Sequence, residues 1–173
     1  MQIEKVEVVR TIPLTQGKVA LVDECDYEYL MQWKWQFAQA KHQRSGYVVH
    51  SQKVGLGRWC KLQMHRVVAA RIGLVIGNQQ IDHVDGDGLN NCRNNLRVAS
   101  QSQNRANLRQ YQNNTSGFKG VVWDRCRRKW VAKLQVAGRD YNCGGFENPR
   151  DAARAYNEAA LKHFGEFAKL NFV

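Results

Sequence analysis

The 173 residues predict an α+β fold of short antiparallel strands and a few helices. Three observations carry that reading. In "KWVAKLQVA" (129–137), Trp130, Ala132, Leu134 and Val136 alternate with Lys129, Val131, Lys133 and Gln135, the period-2 signature of a strand with one buried face. Ala152, Tyr156, Ala159, Ala160 and Phe164 then recur at helical spacing, so a helix covers that face. The polar, turn-rich stretch "QYQNNTSG" (110–117) reads as a linker that sets this C-terminal unit (118–173) apart from residues 1–109.

The elements follow in order. Residues 1–64 form a β-rich lead-in. "KVALVD" (18–23) is a strand pattern, "CDYEYLMQ" (25–32) a short helix and "WKWQF" (33–37) a strand. "GYVVHSQ" (46–52) and "RWCKLQMH" (58–65) make two more strands joined by a turn around Gly55 and Gly57. "HRVVAARIG" (65–73) is a short helix ending at Gly73, and "QQIDHV" (79–84) a short strand. After a polar loop the chain returns through Leu96 and Val98. A helix then starts at Ser100, where Gln103 three residues on completes a capping box. In the C-terminal unit "FKGVVWD" (118–124), "KWVAKLQVA" and "RDYNCGGF" (139–146) are three strands. The last helix has Asn148 as N-cap, Pro149 at its first position and Gly165 as its stop.

Composition narrows the function classes. Hydrophobic residues make up 43%, which excludes global disorder. No run of about 18 apolar residues exists, so no membrane span is expected. The start, MQIEKVEVVR, lacks the apolar stretch of a signal peptide, which points to a cytoplasmic protein. Five cysteines at 25, 60, 92, 126 and 143 form no close pair, which argues against a disulfide framework or a zinc ribbon. The net charge is +11, divided as +2 over residues 1–60, +4 over 61–110 and +5 over 111–173. Such a balance suggests a polyanion partner.

"IDHVDGDGLNNCRNNL" (81–96) holds acids, a histidine and asparagines where little could fill a core. Asp82 and His83 close a strand and Asn104 opens a helix, so a hairpin followed by a helix could bring them to one ion. A carboxylate and an amide oxygen, with positions left for water, suit Mg²⁺. Period 2 sends Asp82 and His83 to opposite faces, so one could hold metal while the other takes a proton from water. Asp85 and Asp87, with Gly86 and Gly88, look like a calcium loop without its terminal Glu and read as turn residues. Asn90, Asn91 and Asn94 read as turn formers. His65 reads as a helix-start residue.

The pattern "DH-x-DGD-x-LNN-x-x-NNL-x-x-A-S…QN" resembles the HNH endonucleases in their H-N-N form, as found in phage and intron homing enzymes. The similarity runs over roughly residues 60–109 and includes "MHRVVAA" (64–70). Asn95 stands twelve residues after His83 and Asn104 twenty-one after it. The resemblance implies a ββα-metal core at about 79–109. It makes His83 the general base, Asp82 and Asn104 the ligands of the catalytic metal, and Asn95 the brace of the loop. Asn at the third motif position, where many relatives carry His, favours Mg²⁺ or Mn²⁺ over zinc.

Residues 116–172 resemble an AP2 DNA-binding domain through "F-K-G-V", "KWVAKL", "GGF", "DAARAYNEAA" and "LNF". That resemblance implies a three-stranded sheet in the DNA major groove with a helix behind it. Plant members commonly carry an arginine after "GV", where this chain has Val122. Lys119, Trp123, Arg125, Arg127, Lys133, Gln135 and Arg139 are the candidate contacts, most of them to phosphates. Together the two halves suggest a site-specific endonuclease on double-stranded DNA. It would act as a monomer that nicks one strand, in a host cytoplasm if phage-encoded, with no small-molecule substrate. The alternatives are a DNA-binding regulator with an inactive nuclease domain and a structural nucleic-acid-binding protein of the ribosomal type.

Overall fold

A computed structural model describes residues 8–39, 46–74, 77, 79–110 and 114–173. It is an α+β structure of small antiparallel sheets, and its contacts divide the chain into two compact units, Met1–Val98 and Ala99–Val173. No helix among the described residues is long and apolar enough to cross a membrane.

In the first unit β1 (Val9–Pro13) and β2 (Val19–Asp23) pair as a hairpin, with Ile12 opposite Ala20. The helix α1 (Glu24–Leu30) follows, then β3 (Gln36–Ala38), β4 (Tyr47–Gly55) and β5 (Arg58–Gln63) in one antiparallel sheet. The helix α2 (Met64–Arg71) comes next, and β6 (Gln80–His83) pairs with β7 (Leu96–Ala99). Ile12, Ala20, Val22, Leu30, Trp35, Val48, Met64, Val68, Ile81 and Leu96 form one apolar core.

Two elements differ from expectation. β1 was not singled out in the lead-in, because Pro13 breaks its strand pattern. The aromatic run 33–37 is a strand only from Gln36. Trp35 is buried instead, and its indole N–H donates to Leu30 O at 2.8 Å at the end of α1. An indole whose N–H finds a carbonyl can sit in a core at little cost.

Asp26 on α1 is a fully buried carboxylate. Arg71 Nε on α2 donates to it at 2.6 Å, and Arg93 Nε and Nη2 at 2.7 and 2.8 Å. Burial alone would raise its pKa, but the arginine hydrogen bonds outweigh that and hold it below the ordinary 3.8. The clasp therefore joins α1, α2 and the short 3-10 turn Arg93–Asn95.

The second unit begins with α3 (Gln101–Asn107). Ser100 Oγ accepts from Gln103 N, and Gln103 Oε1 accepts from Ser100 N. The sequence grouped this helix with the first 109 residues. In the structure it is bonded into the second unit, where Arg105 donates to Gln135 Oε1 at 2.6 Å, Ala137 N to Ser102 Oγ at 3.2 Å and Lys169 N to Ala106 O at 3.1 Å. Of the expected linker, residues 111–113 lie outside the described residues. Asn114–Gly117 form a hydrogen-bonded turn in which Ser116 Oγ donates to Val121 O at 2.8 Å.

β8 (Val121–Asp124), β9 (Lys129–Val136) and β10 (Arg139–Phe146) form an antiparallel sheet in the order β10-β9-β8. α4 (Pro149–Phe164) packs Ala152, Tyr156, Ala160 and Phe164 onto Val121, Ala132 and Leu134. Gly120 has φ +73°, and a Cβ there would stand 2.2 Å from the Tyr156 ring, so the start of the sheet and α4 approach as closely as they do only with glycine.

Replacing Asp26 by Asn should destabilise the first unit by about 2 kcal/mol. That is below the ~3–5 kcal/mol for breaking a fully buried pair, because both arginines keep some solvent. A carboxyl with a depressed folded pKa stabilises above its ordinary value and loses that contribution as pH falls through the folded one. Denaturation curves should show wild type and Asp26→Asn differing at neutral pH and converging below pH 3.8.

Candidate active site

β6 ends on Asp82 and His83, each about 95% buried. Their backbone is fixed by Val84 N donating to Asn95 O at 2.9 Å, where the chain returns into β7. The loop between is stapled by its own acids and amides. Asn95 Oδ1 accepts from Asp85 N at 3.0 Å, and its Nδ2 donates to Asp85 Oδ1 at 3.0 Å and Asn90 O at 2.8 Å. Asn90 Nδ2 donates to Asp85 Oδ2 at 2.8 Å. Burial raises the Asp85 pKa, but the Asp87 N–H, Asn90 and Asn95 outweigh it and hold the carboxyl below its usual value. Asp85 and Asp87 thus act as loop formers.

The loop is also tied to the lead-in. Leu21 N donates to Leu89 O at 2.9 Å and Asn91 N to Leu21 O at 2.8 Å. Asn91 is wholly buried, and its Nδ2 donates to Leu89 O at 3.1 Å. That turns its Oδ1 toward His83 Nε2, 3.5 Å away. The contact is long, and it turns Nε2 toward the amide oxygen, the orientation in which an Nε2–H would donate. Burial pushes the His83 pKa below its ordinary 6.5, against the opposing pull of Asn91 and Asp85. The imidazole is therefore neutral, and able to accept a proton, at neutral pH.

Three side chains around this pair were not assigned to it from sequence. His65 on α2 meets His83 edge-on, with ring centroids 5.1 Å apart, and Tyr47 flanks both rings at 5.6 and 6.0 Å. Burial, then His83 and Arg66, push the His65 pKa down to about 3, so it stays neutral. Arg97 on β7 donates from Nε to Asp82 Oδ2 at 3.0 Å, and its Nη2 stands in the same ion pair at 3.0 Å. The pairing of β6 with β7 was the signal that could have suggested Arg97. Asn91, read as a turn former, gave none.

Asn104 lies half-buried on α3 in the second unit. Among the described residues no group of three or more His, Cys, Asp or Glu side chains is placed to hold a metal.

The other candidates lie on the second unit. Lys133 and Gln135 share one face of β9 with Lys129, opposite the face that packs on α4, and Arg125 and Arg127 stand in the exposed β8–β9 turn. Trp123 stands on the α4 side, paired with Trp130 at 5.2 Å between ring centroids. Arg139 begins β10 opposite Val136, which also places it on the α4 side. Lys119 Nζ donates to the Ala106 carbonyl at the end of α3.

A buried imidazole and a buried carboxylate thus end β6 and open a polar loop stapled by carboxylate–amide bonds. Relatives make the class specific. An uncharacterized HNH endonuclease of Acanthamoeba polyphaga mimivirus is 30% identical over 158 residues, 90% of this chain and 76% of that protein. The chain belongs to the HNH endonuclease family. Protein 3.8 of Escherichia phage T7 is 34% identical over 89 residues, 51% of this chain and 73% of that protein. An AP2-like ethylene-responsive transcription factor, TOE2 of Arabidopsis thaliana, is 37% identical over 59 residues, 34% of this chain and 12% of that protein. No family model and no solved structure matches the chain.

Asn91→Leu keeps the volume but removes the oxygen facing His83. In a nuclease that uses His83 as its base, it would lower the rate of DNA cleavage at saturating DNA on the order of 10-fold or more, through loss of ring placement, while DNA affinity stays unchanged. An unchanged rate in a folded variant would show that Asn91 only shapes the loop.

Proposed function

We propose that the protein is a site-specific, metal-dependent DNA endonuclease of the HNH homing type that nicks one strand as a monomer. The observation that carries it is His83, buried and held neutral, with Nε2 turned to Asn91 Oδ1, in a chain of the HNH endonuclease family. The imidazole takes a proton from a water, whose oxygen attacks the scissile phosphorus. The P–O3′ bond breaks, and the departing 3′-oxygen takes up a proton, leaving a 5′-phosphate and a 3′-hydroxyl. Asn95 holds the loop that presents the imidazole.

Asp82 and Asn104 would hold Mg²⁺ or Mn²⁺. One carboxylate and one amide oxygen fit a hard cation that keeps water in its other positions. When bound, such an ion stabilises charge on the phosphate and on the leaving oxygen. These roles, with a ββα-metal core over about 79–109, would make the stretch from β6 through α3 the cutting part of the chain.

The C-terminal sheet would bind double-stranded DNA. Its support is the similarity to AP2-like factors and the row Lys129, Lys133 and Gln135 on the face away from α4, with Arg125 and Arg127 beside it. These side chains suit phosphate contacts. A second reading is a DNA-binding regulator with an inactive nuclease. It draws on Arg97, which neutralises the carboxylate a metal would need.

A supercoiled plasmid incubated with His83→Ala should be bound but left closed, whereas wild type opens it. A variant that nicks as wild type does would reject His83 as the base. The base must be unprotonated, and burial lowers its pKa. The wild-type rate should therefore stay flat as pH falls to the ordinary imidazole value of 6.5 and drop only below it.

A further inference from the structure

β8 is four residues long and pairs with only the first half of β9, from Lys129 to Ala132. One more bond, from Lys133 N to Gly120 O at 2.8 Å, continues the edge, and beyond it no strand among the described residues lies on that side of β9. The C-terminal end of α3 fills that side. A cleft of about 470 Å³ remains there, with Tyr156 and Phe164 among its apolar lining. Among the described residues that line it are four cations, Arg105, Arg109, Lys119 and Lys133, and no Asp or Glu. Lys119 is engaged with the α3 carbonyl of Ala106 and Arg105 with Gln135, so both side chains are held in place at the cleft by these contacts. Four like charges around one concavity repel each other, and a bound anion offsets that repulsion.

We propose that this edge cleft, which shares Lys133 and Gln135 with the open face of the sheet, seats a backbone phosphate of duplex DNA through Arg105 and Arg109. The proposal rests on the reading that the second unit binds DNA. An apolar floor beneath a cationic rim suits a phosphodiester with its sugar. Arg105 directly follows Asn104 on α3, so the seat would anchor to the DNA backbone the same helix that carries a proposed metal ligand.

The test is the salt dependence of binding to a fluorescent duplex, followed by anisotropy across a potassium chloride series. Wild type is compared with Arg105→Gln/Arg109→Gln, with Arg109→Gln alone, and with Arg150→Gln/Lys162→Gln on α4 as the control. Losing one phosphate contact should reduce the slope of log affinity against log salt by about one. The loss should be equal for specific and random duplexes, and the control pair should keep the wild-type slope. Arg109 lies beyond α3, so its single variant carries the test if the double variant fails to melt cooperatively. Cleft variants with the wild-type slope, in a protein that binds duplex, would overturn the proposal. Wild type that shows no salt-dependent duplex binding would instead overturn the DNA-binding reading beneath it.

Discussion

The first unit depends on how one buried amide is held. Asn91 donates its backbone N–H to Leu21 in β2 and its side-chain N–H to Leu89 in the loop, which leaves only its oxygen to face His83. A buried amide with its donors spent cannot rotate without stranding polar groups, at a cost of about 1–3 kcal/mol for each one left unpaired. The placement of the imidazole is therefore set by the lead-in hairpin as well as by the strand that carries it. Asp26 extends the same logic. Its carboxylate fixes Arg93 at the end of the loop against α1 and α2, so the polar loop is anchored at both ends into the lead-in.

The second unit solves a different problem. A three-stranded sheet needs one covered face, and α4 supplies it through small residues and Tyr156. The other face keeps Lys129, Lys133 and Gln135. It is not uniformly polar, since Val131 on that face is fully buried in the folded chain. The short β8 leaves one edge of the sheet to α3, which brings Arg105 to it, with Arg109 just beyond the helix.

Much of this was legible in the sequence where the signal is local. Period-2 alternation gave β9, the capping box gave α3, and Asn148, Pro149 and Gly165 gave both ends of α4. The family resemblance drew Asp82, His83, Asn95 and Asn104 into one constellation; the first three lie on β6 and the loop that returns from it, and Asn104 lies on α3 in the second unit. What was not legible is long-range. Asp26 meets Arg71 and Arg93 across 45 and 67 residues. His65 and Tyr47 meet His83 only because α2 and β4 pack beside β6. Asn91 looked like its neighbours Asn90 and Asn94 because a turn asparagine and a buried one are the same residue until the core closes around them. Trp35 misled in the opposite direction: aromatic residues favour strands, but its indole found a carbonyl at a helix end instead.

The measurement that bears most directly on the account is the fate of a supercoiled plasmid, carrying the DNA that flanks the gene, incubated with purified wild-type protein in Mg²⁺, in Mn²⁺ and in EDTA. Open circles in either metal and none in EDTA are the predicted result. A plasmid that is only retarded on the gel, in every metal, would contradict it and leave a DNA-binding protein whose buried histidine does no chemistry.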